Sequence, residues 1–361
     1  MKRLEIVQIG LGHVGRKVAQ IVLEERKRWR EQHSLELVYR AVSDTSGALV
    51  GEGLLPQAIR LKEAGGKLST LGVEPLEEVL LSEPAPGTTR VIVDVAVHGE
   101  TYELDLLGVQ NGSYLVLSNK GPLSGSSEEY ERLTRMLPDK LWHEATVGAG
   151  MPIISTLDGL IASGDEILEI QASPSGTLGF IMSAVEAGRL FSEAVKEAVA
   201  LAYAEPDPRD DLSGLDVARK AIILARKMGR QIEPEQIPYQ SLVPAGLEDV
   251  SLEEALERLP EADEAFAERL LAVEEHHMLR YLARIPKQGP VTVGLVDEPV
   301  ESPFGPISGP ENVFNLRTRR YSDVTLTIRG PGAGPERTAS GVVFDLLDIA
   351  HKAVQDDRKE D

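Results

Sequence analysis

Residues 4–15 read Leu4-Glu5-Ile6-Val7-Gln8-Ile9-Gly10-Leu11-Gly12-His13-Val14-Gly15, and this stretch decides the fold. Leu4 to Ile9 has the length and apolar content of a short buried strand. A helical pattern follows through Val18, Ile21 and Val22, on to Trp29. The join between them is G-x-G-x-x-G, set between strand and helix as a dinucleotide loop requires. Gly10 makes the tight turn, Gly12 lets a pyrophosphate approach the backbone, and Gly15 lets helix and strand pack closely. The helix N-terminus offers free N–H groups to the phosphates. Gly10, Gly12, His13, Val14 and Gly15 are therefore candidate cofactor-binding residues, His13 through its backbone. The plainer alternative is a glycine turn selected only for packing. The expected fold is α/β, beginning with a Rossmann-type nucleotide-binding domain.

Further strands extend this reading. Leu35 to Val42 ends at Ser43-Asp44-Thr45-Ser46-Gly47. Asp44 either accepts from an adenosine ribose hydroxyl, which favours NAD, or only starts the turn. Arg40 lies too early on the strand for a 2′-phosphate clamp, so NAD and NADP both stay open. Val91 to Val95 is a third buried strand, and Tyr114 to Leu117 a fourth, ending at Ser118-Asn119-Lys120. Lys120 is either a group at the ligand-binding ends of the strands or an ordinary exposed strand-end lysine.

Composition narrows the function classes. A chain of 361 residues suits two domains or one large α/β unit. The net charge of −20 argues against nucleic acid, whose phosphates need a basic face. With no cysteine there is no disulfide, thiolate metal site or cysteine nucleophile. No apolar run reaches 18 residues, so no membrane span is expected. Glu5, Gln8 and His13 interrupt the N-terminal apolar run, which argues against a signal peptide, and the expected location is cytoplasmic.

A second stretch carries the chemistry: Glu205-Pro206-Asp207-Pro208-Arg209-Asp210-Asp211-Leu212-Ser213-Gly214-Leu215-Asp216-Val217-Ala218-Arg219-Lys220. Two prolines stiffen an acidic loop. Ser213 is a candidate N-cap, and Asp216 sits near the capping-box position. Asp216 and Lys220 are spaced i,i+4 and share a helix face. Read alone, this is either a solvated turn with a surface pair or a ring of carboxylates facing a lysine.

The run Tyr203-Ala204-Glu205-Pro206-Asp207-Pro208, with Asp210-Asp211-Leu212, Gly214-Leu215-Asp216 and Arg219-Lys220, resembles the signature of the homoserine dehydrogenase family. The resemblance runs from Ile6 to about Ala350. It implies NAD(P)-dependent reduction of L-aspartate 4-semialdehyde to L-homoserine, in threonine, methionine and isoleucine biosynthesis. It implies Lys220 as proton donor with Lys120 as its helper, and Glu205, Asp211, Asp216 and Thr177 around the small-molecule substrate. Two lysines near each other would lower each other's pKa. Beyond the glycine loop and Asp44, it places Ala96, Lys120, Ala202 and Gly341 at the cofactor. Glu144, Val147, Ala149 and Met151 match the residues that hold a monovalent cation such as sodium in the family. The residues alone read that last segment as a glycine-rich connection.

The resemblance further implies a dinucleotide-binding domain over 1–150, completed by 336–361, and an α+β substrate and dimerisation domain over 151–335. It implies a homodimer of the monofunctional form, with neither a kinase portion nor a C-terminal regulatory module. Three departures stand out: Ala96 replaces a frequent hydroxyl residue, Ala172-Ser173-Pro174 replaces a glycine-rich turn, and Ala202 replaces a glycine. Two rival functions follow: a dehydrogenase of another small amino-acid aldehyde, and a dinucleotide-binding sensor that catalyses nothing.

In the second half, Ile167 to Ala172 reads as a strand and Phe191 to Tyr203 as a helix. Ser251 to Ile285 reads as helical and broken near Pro260, which puts His276 and His277 on different helix faces, a poor metal pair. Val291, Val293 and Leu295 alternate, as do Val324, Leu326 and Ile328, each set predicting a strand. Gly330-Pro331-Gly332-Ala333-Gly334 predicts a loop running on through Gly341, before a closing helix from Val342 to Val354.

Overall fold

A computed structural model describes residues 1–97, 101–137 and 139–360, the side chains of 353–360 excepted. The chain divides into two compact units, residues 1–150 with 334–361, and residues 151–333. The first holds a six-stranded sheet of β1 (Lys2–Ile9), β2 (Leu35–Asp44), β3 (Gly47–Val50), β4 (Thr88–Asp94), β5 (Tyr114–Leu117) and β6 (Leu141–Trp142). Its order is β3-β2-β1-β4-β5-β6, and only the β2–β3 pairing is antiparallel.

Parallel strands covered on both faces read as continuous apolar runs, and β1 is one. Leu4, Ile6 and Val7 have no exposed surface. Each such side chain contributes about 1.5–3 kcal/mol on burial. Ile6 sits beside Tyr39 on β2 and Val91 on β4. Helix His13–His33 and helix Pro335–Glu360 cover the sheet, Val18, Val22, Leu346 and Ile349 filling one core with Leu4 and Ile6. The polar interruptions of β1 are satisfied. Glu5 accepts from Arg90 Nε at 2.7 Å, and Gln8 is used by the glycine loop.

The second unit is α+β. Its antiparallel sheet comprises β7 (Ile167–Ser173), β8 (His277–Pro286), β9 (Thr292–Pro299), β10 (Asn312–Thr318) and β11 (Leu326–Gly330), in the order β11-β10-β7-β8-β9. Helices Gly176–Glu186, Phe191–Ala200 and Leu215–Lys227 belong to this unit.

Several expectations need correction here. The helical reading of 251–285 holds only for Leu252–Arg258 and Asp263–Leu271, and residues 277–286 are strand β8. Leu279, Leu282 and Ala283 do fit helical spacing, but Leu279, Tyr281, Ala283 and Ile285 also alternate. Pairing with both β7 and β9 settles the conformation. His276 and His277 therefore lie at a strand entrance, His276 with φ of +62°. The helix from Phe191 ends at Ala200, and Ala202 beyond it has φ of +54°. The closing helix starts at Pro335, so Gly341 is inside it. Proline is at home in a first turn, where its missing N–H has no intrahelical partner to lose. Val324 precedes β11 and is exposed.

Candidate active site

In the first unit, the glycines of the loop do three different things. Gly10 has φ of +98°, and a Cβ there would sit 3.0 Å from the Ala96 nitrogen. A Cβ on Gly15 would lie 2.2 Å from the Gly10 carbonyl oxygen, so helix and loop close only around glycine. A Cβ on Gly12 would meet nothing within 4 Å, which leaves that face open to a ligand. Gly12 is the N-cap with no side-chain acceptor, and His13 and Val14 are the first helical residues. The loop is laced by Gln8, whose Nε2 donates to the carbonyls of Gly10 at 2.8 Å and Gly15 at 3.1 Å. Tyr39 in turn donates to Gln8 Oε1 at 2.8 Å. Sequence reasoning passed over Gln8; its signal is an amide inside an otherwise apolar strand.

Asp44 closes β2 with both oxygens engaged. Oδ1 accepts from the Ser46 N–H at 2.8 Å, and Oδ2 from Lys62 Nζ at 2.8 Å and the Leu68 N–H at 3.2 Å. Burial raises this carboxyl, but the bonds from Lys62, Ser46 and Leu68 outweigh it and hold the pKa at about 2.

At the ends of β4 and β5 the organiser is Asp94, a carboxylate closing an otherwise apolar strand run. It has no exposed surface. Its Oδ1 accepts from the Ala96 N–H at 2.9 Å, and its Oδ2 from Thr101 Oγ1 at 2.7 Å and Asn119 Nδ2 at 2.9 Å. Asn119 Oδ1 accepts from the Gly121 N–H at 3.0 Å, which fixes the turn presenting Lys120. Lys120 is the N-cap of the short helix Gly121–Ser124.

Of the residues matched to a cation site, Glu144, Val147 and Ala149 are buried in the first unit, the Glu144 N–H donating to Asp345 at 3.0 Å. Met151 begins the second unit, its carbonyl accepting from the Ile153 N–H at 2.8 Å. A Cβ on Gly341 would sit 2.7 Å from the Ala149 carbonyl oxygen, so the closing helix rests on that carbonyl. Beside it Gly334, Pro335, Glu336, Arg337 and Ser340 line a cleft of about 490 Å³.

In the second unit, helix Leu215–Lys227 carries Lys220, which is 8% exposed. Its Nζ donates to the Pro174 carbonyl at 2.6 Å and pairs with Asp216 Oδ2 at 2.8 Å. The departure at Pro174 thus supplies an acceptor through its carbonyl. Thr177 Oγ1 lies 2.7 Å from the Tyr203 carbonyl and 2.9 Å from Asp211 Oδ1. Asp211 Oδ2 accepts from the N–H of exposed Glu205 at 2.9 Å. Burial raises the Asp211 carboxyl above its ordinary value, the Glu205 N–H and Thr177 hydroxyl oppose this, and the charges of Glu205 and Asp216 add to the rise. A carboxylate so placed favours an incoming cation.

Asp207 is structural by contrast: Arg209 pairs with it at 2.6 Å and donates to the Val250 carbonyl at 2.8 Å. The expected cap is corrected as well. Gly214, with φ of +76°, is the N-cap, and there is no capping box; Ser213 Oγ accepts from the Leu215 N–H at 3.2 Å. A Cβ on Gly214 would lie 2.0 Å from the Tyr281 hydroxyl of β8, which excludes a side chain.

A glycine loop on a doubly wound parallel sheet, joined in one chain to an α+β unit bearing a buried lysine among carboxylates, defines a Rossmann-type nucleotide-binding protein with a second domain. The homoserine dehydrogenase family profile matches residues 152–347. The chain is 33% identical over 365 residues to homoserine dehydrogenase of Saccharomyces cerevisiae, covering 97% of this chain and 99% of that one. It is 37% identical over 354 residues to bifunctional aspartokinase/homoserine dehydrogenase 1 of Zea mays, covering 95% of this chain but 38% of the maize protein. The chain thus spans well under half the length of the plant bifunctional relatives it matches. A hyperthermophilic archaeal homoserine dehydrogenase solved in complex with NADPH superposes with a TM-score of 0.74 at 26% identity, covering 97% and 98% of the two chains. The chain belongs to the homoserine dehydrogenase family.

Proposed function

We propose that this chain interconverts L-homoserine and L-aspartate 4-semialdehyde with NAD or NADP, in threonine, methionine and isoleucine biosynthesis. The observation that carries the reading is Lys220, an ammonium kept in a buried position by Asp216 and the Pro174 carbonyl. Burying a charge is costly, and its place in the unit with Thr177, Asp211 and Glu205 gives that cost a use. A sensor that catalyses nothing has no need of it.

The nicotinamide, when bound, supplies or accepts the hydride. The open face of Gly12 and the N-terminus of helix His13–His33 suit its pyrophosphate. Asp44, Ala96, Lys120, Ala202 and Gly341 are the further cofactor residues of this reading. Lys220 gives a proton to the emerging alkoxide oxygen and takes it back in the reverse direction, with Asp216 orienting its Nζ and Lys120 assisting. Glu205 and Asp211 receive the substrate's ammonium through charge-assisted hydrogen bonds. A sodium ion at Glu144, Val147, Ala149 and Met151, a cytoplasmic location and a homodimer through the second unit complete the proposal. Among the described residues no helix is long and apolar enough to cross a membrane.

Steady-state oxidation of L-homoserine, run side by side with NAD and NADP and with and without sodium, tests the reading. Turnover with at least one nucleotide is expected. Its absence with both, in folded protein that binds either nucleotide, would overturn the reading in favour of the sensor or a dehydrogenase of another small amino-acid aldehyde.

A further inference from the structure

One fully buried acid of the first unit has no part in that chemistry. Asp105, on helix Tyr102–Gln110, has no exposed surface, and neither of its carboxyl oxygens accepts a hydrogen bond among the described residues. An ionised carboxylate left so would cost several kcal/mol. The group within hydrogen-bonding reach is Asp94, equally buried. Asp94 already accepts from three donors, Ala96, Thr101 and Asn119, which leaves an acceptor site on Oδ1. Two carboxyl groups this close cannot both ionise, and the one with three donors keeps the charge. A proton on Asp105 turns its orphan oxygen into a donor and removes the deficit.

Other charges around this helix point elsewhere. Glu103 and Arg132 pair at the surface, Glu77 and Glu78 of helix Leu76–Leu81 are exposed, and Tyr102 donates to the Glu129 carbonyl. Among the described residues Asp94 is therefore the charged neighbour that acts on Asp105, and burial followed by its charge pushes the Asp105 carboxyl well above the ordinary range.

We propose that Asp105 is a neutral carboxylic acid in the folded protein, donating its proton to Asp94, and that this bond positions the Asn119–Lys120 turn. The line of transmission is short. Asp94 holds Asn119 Nδ2 with its side chain at 2.9 Å and the Ser118 N–H with its carbonyl at 2.9 Å. Asn119 in turn holds Gly121. Asp105 touches no substrate in this scheme; it is a positioning residue for Lys120, and only the kinetic arm of its test rests on the proposed dehydrogenase reading.

The sign of the pH effect is fixed. A carboxyl raised in the folded state gives stability that is complete below the unfolded pKa, about 4, and is lost as pH rises. Asp105→Asn keeps a donor toward Asp94 and has nothing to titrate. Its melting temperature should therefore gain on the parent's steadily as pH rises from about 4. The infrared band of a protonated carboxyl, present in the parent near neutral pH, should vanish in Asp105→Asn. Neither readout needs homoserine turnover. Parallel melting curves with unchanged infrared spectra would overturn the shared proton. In kinetics, Asp105→Asn should retain the parental kcat while Asp105→Leu loses up to about 100-fold, as a misplaced catalytic group does. Equal kcat in both variants, or equal loss, would overturn the positioning role.

Discussion

The glycine loop of the first unit and the lysine site of the second are built on opposite plans. The loop is local: its glycines and Gln8 all lie within twelve positions of Leu4, and Tyr39 behind Gln8 and the Ser43 carbonyl on the Gly10 N–H only support it. The lysine site is assembled from segments as far apart as Pro174 and Lys220, joined through single hydrogen bonds. A local motif states its own geometry through spacing. A dispersed site states only its residue types, and the tertiary fold supplies the distances. Change in the first should therefore be read position by position along the loop, and change in the second through the contacts that the fold supplies.

The largest step should come from Lys220→Ala. General acid catalysis contributes about 10²–10⁴ in rate, so kcat should fall by that factor while circular dichroism stays parental. Near-parental turnover in the folded variant would move the proton donor elsewhere and dissolve the contrast. Glu205→Gln should act next, keeping shape and losing charge. A hydrogen bond to a charged group is worth about 1.5–3 kcal/mol, so KM for homoserine should rise roughly 10- to 150-fold with cofactor KM barely changed. An equal rise in both KM values would show that the two units do not divide the ligands between them.

The loop itself offers the smallest and sharpest comparison. Gly12→Val should weaken cofactor binding, read by fluorescence titration, with little change in melting temperature, since its side chain points into open space. Gly15→Val should do the reverse first: a Cβ 2.2 Å from the Gly10 carbonyl forces helix and loop apart, costing about 1–3 kcal/mol in urea titration. Matching behaviour of the two variants would mean that loop packing and phosphate access are one property rather than two.

The same contrast explains what could be read from the chain. Strands β1, β4 and β5 were legible because parallel strands covered on both faces are apolar runs, each closed by a turn or a ligand-facing polar group. Strand β8 was not, because Leu279, Leu282 and Ala283 satisfy helical spacing as well as alternation, and only its two neighbouring strands decide between them. Lys220 and Asp216 were legible as an i,i+4 pair, whereas the Pro174 carbonyl that completes the site was not, since a backbone acceptor leaves no mark in side-chain identity. Asp94 and Gln8 were passed over for a related reason: their partners come from other strands and loops, and a buried polar residue announces a need without naming what meets it.

Gly214 gives that dispersed site its mechanical tolerance. Its absent side chain leaves just enough room for the Tyr281 hydroxyl, which is anchored to the Gln240 carbonyl at 2.5 Å. The helix starting there is a stiff rod, and Lys220 lies about 9 Å along it at 1.5 Å per residue. A rod transmits displacement without absorbing it, so a shift of its foot by a methyl's width reaches the ammonium group almost whole. Misplacement of about 1 Å can cost on the order of 100-fold in rate. The placement of the Lys220 Nζ at one end of the helix is thus set at the other, by a tyrosine seated against a residue with nothing to push back.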